Sequence, residues 1–327
     1  MLLQLAMARR QGHSLRWVAR GLFAALALTA MVLLVRRAGA GSFLDAFHAG
    51  LPWLPLLLLL EALRIAADLV ALWLLCGPDA RRLPLAAWIR LHLVTNTALV
   101  VMPGGRMISE GMKIARLGPV LGAGRATAVV AVHHALTLVG VALTCAVAGL
   151  VAWRVTGASL LTAALAAHAA SCLILATTLR ITLHRASIPR PFARHSAAAA
   201  PLLDDLRAAS RVLPLLPPGA LAAKLVNRVA QIAQLVVLLH AVGGASGLAR
   251  AWLAGGVSLL GGAIGEVSIA QLGCTEGAFV LSASALSLGV GGAVAITSLV
   301  RAVQLFWSAV GAVASAFEPL DRNPSAR

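Results

Sequence analysis

Apolar stretches of about 20 residues recur along this chain, and two of them are interrupted by glycine, proline and charge. A helix needs roughly 20 apolar residues to cross a bilayer. The unbroken runs therefore predict full spans at about 17–36, 51–76, 126–153, 159–183, 220–242 and 292–317. The interrupted stretches lie at about 84–117 and 251–289. The second divides into apolar halves, 251–264 and 277–289, each too short to cross. Broken backbone is tolerated at membrane depth only where protein or a water-filled cavity surrounds it. The pattern thus predicts an all-α integral membrane protein: about six full transmembrane helices plus two re-entrant broken-helix hairpins.

The two interruptions resemble each other. One reads Met102-Pro103-Gly104-Gly105-Arg106-Met107-Ile108-Ser109-Glu110-Gly111, the other Ser268-Ile269-Ala270-Gln271-Leu272-Gly273-Cys274-Thr275-Glu276-Gly277. Each sets a Glu-Gly pair shortly after a helix-breaking glycine. A carboxylate inside a bilayer costs roughly 2.5–3.5 kcal/mol on insertion scales, so two at matched positions mark the expected working centre. Gly104, Gly105 and Gly273 permit backbone turns that other residues resist. The half-helices that follow would present N-terminal amides suited to an anion. Glu110 and Glu276 either cap those ends or pair with Arg106, Lys113 or Arg301 and exchange these partners for a charged head group.

Charge supports the re-entrant reading. With the N-terminus inside and both interrupted stretches re-entrant, 21 of the 27 Lys and Arg residues face the cytoplasm and four face outward, with Arg64 and Arg301 inside spans. A full crossing at 84–102 would turn the clusters at 106–125 and 180–228 outward, against the positive-inside rule. The same parity sends the hairpins in from opposite faces, each followed by a full span. That is the pattern of an inverted repeat, whose interrupted segments point to a substrate site near mid-membrane. Both termini are expected in the cytoplasm.

Composition narrows the class further. The chain has 327 residues, 60% of them hydrophobic and 12% charged, where a soluble domain carries about 25% charged residues. Mean hydropathy is +0.90. The net charge of +16 is placed between apolar segments rather than on a basic face with interleaved aromatics, so no nucleic-acid partner is expected. Basic loops also attract anionic lipid head groups. The excess of Arg over Lys, abundant Ala and absent Tyr point to a GC-rich bacterial genome and an inner-membrane location. Cys76, Cys145, Cys172 and Cys274 are isolated in apolar surroundings and read as packing residues, with neither a disulfide framework nor a metal site expected. Gly21 to Val35 after four arginines mimics a signal peptide, but Arg36-Arg37 directly follow, which favours a retained first span.

Other polar residues lie inside apolar runs. Glu61, Arg64 and Asp68 fall on one face of the second span and form a secondary polar stripe that neutralises itself. It reads equally as an ion-pair staple or as a polar path. His133-His134 read as neutral histidines hydrogen-bonded within the bundle, with a proton relay as the alternative. Asn227, Gln231 and Gln234 share a face, while Arg228 is expected to snorkel toward the cytoplasm. Tryptophans sit mostly near span ends, as interfacial anchors do. The 184–219 loop carries apolar residues at helical spacing from Leu202 to Leu213, consistent with an interfacial helix or an ordinary linker helix. Walker, dinucleotide and nucleophile-elbow motifs are absent from the sequence, so neither an enzyme activity nor a cofactor is expected.

At these motifs the chain resembles the flippase-like family that includes the transmembrane region of lysylphosphatidylglycerol synthases. Asn96, Pro103, Gly104, Gly105 and Glu110 match an Asn before a Pro-Gly-Gly segment with a nearby acidic residue. Leu272, Gly273, Glu276 and Arg301 match a Gly-Leu-Gly-x-x-Glu segment followed by a membrane arginine. Gln271 stands in the place of the first glycine there, Glu266 in that of a proline and Ser109 in that of another glycine. His133-His134 occupy the place of an acidic–basic pair. The resemblance covers about residues 20–317 and implies a lipid translocase, with a substrate site at Asn96, Pro103, Gly104, Gly105, Arg106, Glu110, Lys113, Gln271, Gly273, Glu276 and Arg301. Its partners would be membrane lipids with anionic or amino-modified head groups. The alternative is a non-catalytic membrane subunit serving a lipid-modifying enzyme. The expected organisation is a basic segment at 1–16, one transmembrane domain at 17–317 and a tail at 318–327, without the family's soluble transferase domain.

Overall fold

Glycine and proline set most of the helix ends that the hydropathy pattern leaves open. The computed structural model describes residues 39–185, 199–244, 247–267 and 273–316, with the isolated positions 29 and 36. The expected first span lies almost wholly outside the described residues, as do Gln271, the 1–16 segment and the tail. The helices are α1 (Ala40–Gly50), α2 (Leu54–Cys76), α3 (Leu85–Val101), α4 (Gly105–Leu121), α5 (Ala123–Thr156) and α6 (Leu160–Arg185). They continue as α7 (Ala199–Val212), α8 (Pro218–Ala241), α9 (Leu248–Ile264), α10 (Cys274–Leu281) and α11 (Val290–Ala316). No strand occurs among the described residues.

α5, α6, α8 and α11 are long and apolar enough to cross a membrane. α2 has 23 residues and matches the expected span, although Glu61, Arg64 and Asp68 interrupt its apolar run. α3 and α9 have 17 residues each, about 25 Å at 1.5 Å per residue, short of a ~30 Å hydrocarbon core. The helix expected from Leu202 onward is α7, packed against α5 and α6. The apolar half expected at 277–289 is corrected: α10 stops at Leu281 and turns fill 282–287, with Ser287 at φ 53°. Ser282 and Ser284 lie in this stretch, and Gly289 precedes α11.

Both interrupted stretches fold as helical hairpins. In the first, Met102-Pro103-Gly104 breaks the chain, Gly104 adopts φ 63°, and α3 packs on α4. Its two feet meet at the C-terminal end of α2, where Arg82 donates to the Val120 carbonyl at 3.3 Å and Arg125 to the Cys76 carbonyl at 3.2 Å. The feet of the second, α9 and the end of the α10 turn, meet through Arg250 and Ser287. These feet lie beside the C-terminal end of α8, where Gly244 faces Leu288.

Contacts fix the helix directions. Lys224 meets Asp68, Asn227 meets the Arg64 carbonyl and Gln234 meets the Leu57 carbonyl, so α2 and α8 run antiparallel. Asp68 faces His133 while Cys76 faces Arg125, so α2 and α5 are antiparallel too. The Gly50–Leu299 and Leu58–Trp307 contacts place α2 parallel to α11. The chain therefore reverses between the helices flanking each hairpin, and the hairpins enter from opposite ends of the bundle.

A swapped packing follows the same plan. α5, which follows the first hairpin, packs on α9 of the second; α11, which follows the second, packs on α3 of the first. Glycine admits the close approach at both crossings, where a methyl at Gly311 would overlap Thr97 and the Leu93 carbonyl, and one at Gly256 would overlap Ala148. α5 is the central helix and α6 the peripheral one, the most apolar windows being 61% and 28% buried. Leu59, Leu150, Leu173 and Ile174 face outward, as an apolar exterior toward lipid requires.

Candidate functional site

The break of the first hairpin touches the segment that follows α9. The Gly104 amide donates to the Glu266 carbonyl at 3.1 Å, and Arg106 Nε donates to Glu266 Oε1 at 2.8 Å. Glu266 lies in a single 3-10 turn after α9. Beside this contact is a cavity of about 340 Å³, lined by residues from α2, α3, α4, α5, α6, α8, α9 and α11 and by Glu266. Small-molecule sites typically occupy roughly 300–1,000 Å³.

Charge converges on this cavity from both halves. Arg106, Ser109, Glu110 and Lys113 lie at i, i+3, i+4 and i+7, one face of α4, and all line it. Glu61, Arg64 and Asp68 of α2 line it as well, so the stripe and the first motif belong to one site. Asn96 is there with its Nδ2 buried and unpartnered, and Arg301 closes it from α11. Six Lys or Arg side chains and four carboxylates form the lining. Glu276, behind the wall, pairs with Arg301 at 3.4 Å, which leaves one net positive charge with neutral histidines.

The partners differ from those expected. Arg64 pairs with Glu61 at 2.6 Å, but Asp68 turns away from Arg64 and contacts Lys224, with His92 Nε2 at 2.9 Å, His133 Nε2 at 3.5 Å and Lys113 at 3.8 Å. The stripe is not self-neutralising, because Asp68 faces basic groups that α3, α4, α5 and α8 bring to it. Glu110 meets none of its three expected cations: its partner is His134 Nδ1 at 2.6 Å, an ion-pair distance without hydrogen-bond alignment. Arg106 is taken by Glu266 and Lys113 by Asp68. Arg228, expected to snorkel outward, lies along Gly140 and lines the cavity, donating to Gln231 at 2.8 Å. Gln234 binds Glu61 and the Leu57 carbonyl at 3.0 and 3.1 Å. Trp88 is buried rather than interfacial, with its indole N–H on the Ala80 carbonyl at 2.9 Å.

Glu276 is placed differently from Glu110. It is the third residue of α10, and its Oε2 accepts the Gly273 amide at 2.8 Å while Oε1 faces Arg301. Its side chain is 2% exposed and lies outside the cavity lining. Pro103, Gly104, Gly105 and Gly273 shape the breaks without lining the cavity. Glu266, His92 and Lys224 are site residues that sequence reasoning passed over. Two signals for them existed: Glu266 is a charge inside an otherwise apolar stretch, and Lys224 shares a helix face with Asn227, Arg228 and Gln231.

No group of His, Cys, Asp and Glu fit to hold a metal ion occurs among the described residues. The four cysteines are free, with Cys76, Cys145 and Cys172 buried. No family model, curated protein or solved structure matches the chain.

Proposed function

We propose that this protein is a lipid translocase of the bacterial inner membrane, akin to the flippase-like proteins that its motifs resemble. It moves a phospholipid or related amphiphile between leaflets, guiding the head group through the cavity while the acyl chains stay in lipid. Both hairpins are re-entrant, one from each face of the bilayer, and both termini are cytoplasmic. The observation that carries this reading is the meeting of two helix breaks, approaching from opposite ends, over one charged cavity. Broken helices converging on a mid-membrane site are the architecture through which transporters of inverted-repeat type expose a site alternately to each side.

Intramembrane charge supports a pathway, because ionisable groups at that depth are costly and face cavities or one another. The Arg106–Glu266 contact and the Gly104–Glu266 bond join the tips, so their opening and closing would gate the route. Glu110 and Lys113 meet the head group; Glu276 holds Arg301 in place from behind.

Reconstitution of the full chain with fluorescent phospholipid tests the reading. A membrane-impermeant quencher should reach inner-leaflet label in vesicles carrying the protein and leave it protected in empty vesicles. Glu110→Gln should slow the exchange. Equal protection in both vesicle types overturns the translocase reading, and co-purification with a soluble transferase would then favour a membrane subunit that serves a lipid-modifying enzyme.

A further inference from the structure

Asp68 sits amid more positive charge than one carboxylate neutralises. Lys224 touches its Oδ1 and Lys113 lies 3.8 Å from its Oδ2. Both lysines are more than nine-tenths buried, at 3% and 7% exposure. Arg228, one turn beyond Lys224 on α8, lines the same cavity and donates to an amide, Gln231 Oε1. Among the described residues no carboxylate is paired with it. Three cations from two helices thus line a cavity in which Asp68 faces two of them and Glu110, turned to His134, is the other carboxylate without an arginine partner, leaving one positive charge in excess.

Two polar atoms in the same wall also lack partners. His92 is 4% exposed; with Nε2 turned to Asp68, its Nδ1 is unfilled. Asn96, one turn further along the same face of α3, has its Nδ2 unfilled. Buried polar groups and unpaired charges cost free energy in a low-dielectric site. An anion with several acceptor oxygens would offset the surplus charge and accept from the Asn96 amide, whereas a cationic group would add like charge to the surplus. His92 Nδ1, the ring's acceptor when Nε2–H faces Asp68, would take a hydroxyl donor instead.

We propose that this part of the cavity binds the phosphate of a lipid head group between Lys113, Lys224 and Arg228, and that Asp68 is the internal counter-anion which the phosphate displaces. A tetrahedral phosphate offers oxygens in several directions, matching ammonium and guanidinium groups that arrive from α4 and α8. Competition with Asp68 keeps the affinity moderate, since a transported group must bind well enough to enter and weakly enough to leave. The lipid source of the phosphate rests on the translocase reading; the anion site itself does not.

The test is calorimetric titration of the purified full chain in detergent with dihexanoyl phosphatidylglycerol, dihexanoylglycerol and sodium phosphate. The phosphate-bearing lipid should bind and the phosphate-free one should not. Arg228→Gln should weaken binding about tenfold, the scale of one charge-assisted contact. Asp68→Asn should tighten it, because the lysines keep their charge and lose their competitor; a merely structural Asp68 would give no gain. Unchanged affinity in Arg228→Gln, or weaker affinity in a folded Asp68→Asn, overturns the proposal. Should Asp68→Asn not fold, Arg228→Gln decides alone, since it strands no described carboxylate. Sodium phosphate binding as tightly as the lipid assigns the site to the free ion and overturns the head-group source. Binding without lipid exchange refutes the translocase reading and leaves the anion site standing, while exchange unaltered by Arg228→Gln does the reverse.

Discussion

The α3–α4 hairpin turns its charge into the cavity, whereas the α9–α10 hairpin spends most of its own on holding itself together. Their sequences look alike, but the spacing from break to acid differs. Glu276 is the third residue of α10, within reach of the amide before the helix, and it closes that turn. Glu110 is the sixth residue of α4, a turn too far for capping, so its carboxylate remains available to His134 and to the cavity. The second arms differ as well: α4 has 17 residues and α10 only eight. A shared motif at two breaks therefore does not mean a shared role. Three residues of spacing separate a structural acid from an accessible one.

Topology is where this comparison breaks most completely. Single cysteines in a cysteine-free background at Gly122 and Gly289, the feet of the two hairpins, should react with impermeant reagent from opposite sides of the membrane. Reaction from one side only would abolish the opposed-entry arrangement. Glu276→Ala is expected to give the next largest effect, about 3–5 kcal/mol of destabilisation, because it leaves Arg301 without its anion and α10 without its cap. Glu110→Ala should cost about 1 kcal/mol or less while impairing lipid exchange. Detergent melting curves and exchange assays on the two variants would sharpen the contrast, and equal melting losses would contradict it.

The crossings give a smaller and more symmetrical effect. Gly311→Ala and Gly256→Ala each force a methyl into a close helix contact, so each should cost about 1–3 kcal/mol. A large loss in one alone would show that the swapped packing is not equivalent in the two halves. Smallest is the tip contact. The Arg106 and Glu266 side chains are 34% and 36% exposed, so a double-mutant cycle with Arg106→Gln and Glu266→Gln should give a coupling of only about 0.2–1 kcal/mol.

Much of the helix arrangement was legible in the chain. The spans at 126–153, 159–183, 220–242 and 292–317 and the break at Pro103-Gly104 correspond to helices and a turn seen in the structure. Apolar length and helix-breaking residues are local properties, and local rules suffice for them. The end of α10 at Leu281 was less accessible, because 277–289 is apolar enough to suit helix or turn alike. The pairing of charges was not accessible either. Glu61 and Arg64 meet because they are one turn apart on one helix, but Asp68 takes its neighbours from four other helices.

The sequence alone determined that this is a helical membrane protein with two interrupted segments and an unusual amount of charge within its apolar stretches. Hydropathy, glycine, proline and the distribution of arginine act over a few turns of chain, so each leaves a readable trace. Only the tertiary structure decided that Glu266 joins Arg106, that Glu110 faces His134, and that Asp68 stands among Lys113, Lys224 and two histidines. Those partners are separated by up to 160 positions, and a carboxylate's neighbour in space is set by how helices pack, which no local pattern records.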